Sequence, residues 1–234
     1  MRTIINRLLV LGLACCAWQN VRGFQIVNTF GPGDSFELAS YGVVWNVLSP
    51  GSSINVGQGF AARFTPNANY TLTSVTLALG YIQDTNNLSI SIFEDASGTP
   101  AGQLLETIVS HPTDITGFSG VNTYQSSLDP VMAGGSSYWL VVAPVDLNEA
   151  NSQNNAAYSW YASTHLGYAA TRDFNFTSGS WANWQVYPNS LLPAFRIEGT
   201  AVPEPGTLAL TLAGTAGLVG LRGWRNRRWL AHRR

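Results

Sequence analysis

Leu88-Ser89-Ile90-Ser91-Ile92 alternates large apolar with small polar side chains, so Leu88, Ile90 and Ile92 share one face. A period of two belongs to a strand, whose successive side chains point to opposite sides; a helix would repeat every 3.6 residues. Working outward, Val75, Leu77 and Leu79 form a second such face with Thr76 and Ala78 opposite, and Phe195-Arg196-Ile197-Glu198 forms a third. Tyr138-Trp139-Leu140-Val141-Val142 is apolar on both faces, which predicts a central strand covered from both sides. Turn-forming clusters lie between these runs: Ser49-Pro50-Gly51, Ser97-Gly98-Thr99-Pro100 and Gly134-Gly135-Ser136. Between residues 24 and 201 no twelve-residue stretch carries a helical stripe, and there is no internal repeat. The expectation is a single all-β domain, an antiparallel β-sandwich of jelly-roll-like type.

The two ends read differently. Arg2 and Arg7 precede a short apolar core, Leu8 to Trp18, and Val21-Arg22-Gly23 offers small or medium residues before a cut after Gly23. That pattern predicts a secretory signal peptide over residues 1–23. Cys15 and Cys16 are the chain's only cysteines and would leave with it. The exported domain, residues 24–201, would then have no disulfide, thiol nucleophile or cysteine-bound metal. Residues 202–234 begin with Val202-Pro203-Glu204-Pro205, where two prolines enforce a stiff, extended backbone. Gly206 to Leu221 carries no charge, and as a helix it would reach roughly 24 Å, a single short transmembrane span. Arg222, Arg225, Arg227 and Arg228, followed by Arg233 and Arg234, make a basic stop that holds the C-terminus on the cytoplasmic side.

Together these tail residues resemble a PEP-CTERM sorting signal, which is read in bacteria by the membrane peptidase-transpeptidase exosortase. The resemblance implies processing at Pro203, Glu204 and Pro205, with Arg222, Arg225, Arg227 and Arg228 as the membrane stop. It implies an exported protein that passes through the inner membrane and ends at the envelope surface or outside the cell, in an exopolysaccharide or biofilm setting. A second resemblance rests on Phe60 to Thr65, Tyr70 to Leu77, Leu88 to Phe93 with Gly98-Thr99-Pro100, and Leu128 with Ala133 to Leu140. These segments are similar to bacterial choice-of-anchor β-sandwich domains. They are core and turn residues, so that likeness implies a fold and no chemistry.

All twelve basic residues are arginines; the chain has no lysine. Residues 24–201 hold only Arg63, Arg172 and Arg196 against twelve acids, a formal −9. Such acidity disfavours nucleic acid and anionic lipid as partners. The absence of lysine excludes Schiff-base chemistry and a phosphate loop of the lysine-bearing type.

Candidate chemistry is sparse. His111 and His165 lie in no metal-ligand spacing, and Gly117-Phe118-Ser119-Gly120 misses a nucleophile elbow by one position. Glu94, Glu106 and Glu198 are the acids a glycosidase would pair. Glu94 and Glu106, however, flank the Gly98–Pro100 turn and read as solvent-facing strand ends. No enzyme and no cofactor are expected. Asp146, Asn148 and Glu149 form an oxygen-rich loop able to take calcium, although without EF-hand spacing ordinary solvation is the simpler reading. Aromatics crowd residues 158–187, where Trp160, Trp181 and Trp184 are candidates to stack on sugar rings, the alternative being that they fill the core. The expected function is an exported structural or adhesive protein of the cell surface or extracellular matrix. A carbohydrate-binding module is the alternative, and a secreted glycoside hydrolase a distant third.

Overall fold

The computed structural model describes residues 23–45, 56–83, 88–110, 120–144, 156–175 and 180–203. Their strands are β1 (Phe24–Asn28), β2 (Ser40–Trp45), β3 (Val56–Phe64), β4 (Tyr70–Gln83), β5 (Leu88–Glu94), β6 (Leu104–Ser110), β7 (Gly120–Gln125), β8 (Val131–Met132), β9 (Tyr138–Pro144), β10 (Ala156–Asn175), β11 (Ser180–Trp181), β12 (Gln185–Pro193) and β13 (Phe195–Ala201). One 3₁₀ turn, Pro32–Asp34, interrupts the pattern. Every pairing is antiparallel. The all-β, sandwich-like expectation therefore holds for the described residues.

One layer runs β1-β13-β4, with β7 and β8 along the far edge of β4. The other runs β6-β5-β9-β3-β10, extended by β12. Their inward faces meet in one core. Leu72, Val75, Leu77, Leu79, Phe195 and Ile197 come from the first layer, and Phe60, Ala62, Leu88, Ile90, Ile92, Leu140 and Val142 from the second. Apart from Ala62, side chains of this size each contribute about 1.5–3 kcal/mol when fully buried. The alternation seen at Leu88–Ile92 and Phe195–Glu198 is the inward half of those faces. As expected, β9 is buried from end to end, paired with β3 on one side and β5 on the other.

Two strands tie the layers together. On β4, residues 70–77 pair with β13, and Leu79 to Gln83 pair with the start of β10. β10 lies between β2 and β4 over residues 156–161, then between β3 and β12 over its second half. Register shifts at 157/158, 162/166 and 167/169 accompany the change of neighbours, as bulges do where a strand turns a corner. At the junction Ala78 N–H donates to Ala194 O (3.1 Å) and Ala194 N–H to Tyr161 O (2.6 Å). The buried Thr29 hydroxyl clamps the same corner, donating to Pro193 O (2.8 Å) and accepting from Phe195 N–H (2.7 Å).

The face of β4 opposite the main core is covered as well. Thr76 and Ala78, placed opposite the apolar face, are as fully buried as Val75 and Leu77. Phe30 and Ala194, with Phe36 and Tyr161 packed alongside, cover Ala78, while Thr76 shares a 2.9 Å hydrogen bond with Thr123 on β7. The segment after β1 folds across the outer side of the sheet, held by the ion pair from Arg196 to Asp34 (2.6 Å).

Candidate functional site

The outward face of the second layer carries a second apolar patch. Arg63 stands opposite Trp139 in the β3–β9 register, and Phe93 lies opposite Trp139 from β5. Ala61, Trp139, Val141, Ala143 and Ala170 are buried there, with Phe93, Trp184 and Val186 packed against them. A two-residue hairpin turn rises beside this patch. Ser97 and Gly98 both have positive φ (54° and 85°), and Ala96 and Thr99 exchange backbone hydrogen bonds of 2.9 and 3.1 Å. This is the backbone of a type I′ turn, which needs left-handed residues at both central positions. Asp95 anchors it: Oδ2 accepts from Gly98 N–H (2.9 Å), and Oδ1 accepts from the Trp139 indole N–H (2.6 Å) and lies 3.5 Å from Arg63 Nε.

Between the hairpin and the 182–184 segment lies a cleft of about 470 Å³, lined by Phe93, Pro100, Gly102, Arg172, Asn183 and Trp184 among others. Gly102 lets the turn press against β5, because a Cβ there would sit 2.3 Å from Glu94 O. Ala182 N–H donates to Asp173 O (2.7 Å), fixing the opposite wall to β10. Arg172, two residues beyond Ala170 on the same face of β10, holds its guanidinium carbon 4.5 Å from the Trp184 ring centroid. Arg63 makes a looser version of this contact, 5.2 Å from the Tyr168 ring. Burial pushes the Arg172 pKa down to about 10, so the group stays cationic at neutral pH.

The predicted site residues separate sharply. Trp160 is 0% exposed, donates its indole N–H to Ala194 O (3.1 Å) and packs 6.1 Å from the Phe195 ring. It is a core residue and offers no face to a sugar, which corrects its place among the stacking candidates. Trp184 lines the cleft. Trp181 lies on β11 opposite Phe174, but its side chain is outside the described residues. Asp146, Asn148 and Glu149 also lie outside them, as do His111, residues 1–22 of the predicted signal peptide, Glu204, Pro205 and the arginines Arg222, Arg225, Arg227 and Arg228. Among the described residues no group of three or more acidic, histidine or cysteine side chains is placed to hold a metal.

Glu106 departs most from expectation: it is only 2% exposed. Ser126 Oγ donates to its Oε2 (2.5 Å), while Ser127 N–H, Ser127 Oγ and Leu128 N–H converge on its Oε1 at 2.6, 2.9 and 3.1 Å. Burial alone would push this carboxyl up, but the hydrogen bonds together outweigh it and hold the pKa below the ordinary value. Glu106 is thus a clasp for the turn after β7. Glu198 is on the other layer, accepting from Ser74 Oγ (3.0 Å) beside Arg196 (3.3 Å). The structure brings neither into the cleft. Sequence reasoning missed Arg172 as a cleft residue, although its rarity was a usable signal: it is one of three cations between residues 24 and 201.

The fold and its tail define the class, an all-β domain carrying a C-terminal export-linked sorting signal. Residues 201–228 match the family model described as the PEP-CTERM protein-sorting motif. That motif implies an exported protein that transits the membrane and is recognised by exosortase as its processing partner. No curated protein matches the chain. Two solved structures are similar over part of their length, both of a serine protease from Aeromonas sobria, one of them in complex with its chaperone ORF2. The complex shares 11% identity at a TM-score of 0.31 and the protease alone 12% at 0.30. The matches cover 82% and 70% of this chain but only 29% and 27% of those proteins. At that level the likeness carries no argument about function.

Proposed function

We propose that this is a non-catalytic structural or adhesive protein of the cell surface or extracellular matrix, delivered there by exosortase and working without a cofactor. The observation that carries the reading is the match to the sorting motif at residues 201–228, which starts on the last residue of β13. A folded sandwich joined directly to a removable membrane segment suits a protein whose work is done after release from the inner membrane. Mass spectrometry of the exported protein tests this. The expected mature form begins at Phe24 and ends near Pro203, whereas an intact Arg234 on the exported protein would overturn the sorting half.

A second reading, glycan binding, draws support from Trp184. Among the described side chains it is the predicted stacking tryptophan that lines a cleft, and the patch beneath it holds the indole in place. Aromatic rings held in this way stack on the C–H faces of pyranoses.

A further inference from the structure

We propose that the end of the sandwich where β1 begins and β13 stops rests on the bilayer surface before processing, with Phe24 and Val131 reaching into the headgroup layer. This rests on the sorting reading, because it takes Gly206 to Leu221 as a membrane segment, and it adds the surface by which the folded domain meets the lipid.

Chain length is the first argument. Val202 N–H is still bonded to Asn69 O (2.9 Å), and only Pro203, Glu204 and Pro205 separate Val202 from Gly206. Those four steps of chain extend no further than roughly 14 Å. The headgroup layer on one side of a bilayer takes up about 5–8 Å of that reach. This end of the domain is thereby held within a few ångströms of the headgroups. The expected cut after Gly23 lies at the same end, since Phe24 pairs with Gly199, so both membrane-directed ends of the chain leave from one place.

The surface presented there is the second argument. Phe24, Gly199, Leu72 and Pro130 form one row across the sheet, and Val131 stands opposite Thr71 in the next. Phe24 is 54% and Val131 61% exposed, with the exposed Leu128 in the turn alongside. The segments that meet here, residues 23–28, 64–72, 130–138 and 199–203, carry no charged side chain in a domain of twelve acids and three arginines. Of the bordering charges, Asp95 faces Arg63 and Glu198 faces Arg196, while Asp129 is exposed at the rim. The loops are bonded to one another: Gly134 N–H donates to Asn69 Oδ1, Gly135 N–H to Pro66 O and the Tyr70 hydroxyl to Asn67 Oδ1, each at 2.8 Å. Polar groups paired within the protein cost little to take out of water, and exposed apolar side chains gain by leaving it. The acids elsewhere are repelled by an anionic bilayer, so the uncharged end is the one that can approach.

The test uses the precursor exported by cells lacking exosortase, residues 24–234, reconstituted in phosphatidylcholine vesicles that carry a nitroxide on some headgroups. Residues 24–234 contain no cysteine, so Ala68→Cys at this end and Ser110→Cys at the far end of β6 each give one thiol for an environment-sensitive fluorophore. The Ala68 label is expected to shift to shorter wavelength and be quenched, and the Ser110 label to do neither. Phe24→Asp with Val131→Asp should reduce both changes at the Ala68 label while the chain still floats with the vesicles. Labels that respond alike, or not at all, on a chain that floats would overturn the resting contact and leave the sorting reading standing. A chain that fails to float would overturn both. An Ala68 label that stays in water on lipid alone and is buried only when exosortase is added would make this end a surface for the enzyme and overturn the lipid contact.

Discussion

Glu94 and Glu106 have the same chemistry and border the same hairpin, yet only Glu106 is buried. The difference is made by Ser126, Ser127 and Leu128, whose donors converge on its carboxylate from another part of the chain. Glu106→Gln keeps the size but offers one acceptor oxygen where four donors converge. It is expected to cost about 1–3 kcal/mol at neutral pH, measured by urea unfolding. The pH dependence has a definite sign. Because the folded-state pKa lies below the ordinary value, the stabilisation is complete above the unfolded pKa of about 4.3. It is lost as pH falls through the folded value. The gap between wild type and Glu106→Gln should therefore narrow below about pH 4.3, and a constant gap would remove the charge from the explanation.

At the scale of elements, β13 is where the sheet tolerates least change. Gly199 pairs with Phe24 on one side and Leu72 on the other. A Cβ there would sit 2.5 Å from Thr71 O and 2.7 Å from Ile26 Cδ1, and the backbone oxygen cannot swing aside. Gly199→Ala should destabilise the domain by about 1–3 kcal/mol, the usual cost of overpacking. Hydrogen exchange should show the opening concentrated in β1 and the end of β13; uniform loosening of the whole sandwich would contradict this local cause. β10 presents the opposite case. Its change of neighbours halfway along is what buries Trp160 against Phe195 and leaves Arg172 on the outer face.

For the whole molecule, the consequential fact is where the chain enters and leaves. Phe24 pairs with Gly199, so the start of β1 and the end of β13 lie side by side. Val202 N–H still donates to Asn69 O (2.9 Å), which leaves no slack between the sheet and Pro203. A peptidase gripping the residues just before Pro203 in extended form meets a segment still bonded to the sandwich. Inserting about ten Gly/Ser residues between Val202 and Pro203, long enough to span roughly 16–19 Å, should speed conversion to the mature form in a pulse-chase experiment. An unchanged or slower rate would show that the paired edge does not restrain processing.

The amino-acid sequence by itself determined the strand chemistry and the sorting signal, because both are local. Alternation at Leu88–Ile92 and double-sided apolarity at Tyr138–Val142 reflect the pleat of a single strand, and the tail motif is contiguous over 201–228. Tertiary structure alone decided which of several equivalent side chains went inside. Ala78 is buried by Phe30, far away in the chain, Glu106 by a turn twenty residues on, and Trp160 by the corner at Ala194. Trp184 kept a place in a cleft because the Asp95–Gly102 hairpin stands across from it. Burial depends on which distant surface arrives to exclude water, and that information is carried by the packing of the layers and not by any one stretch of residues.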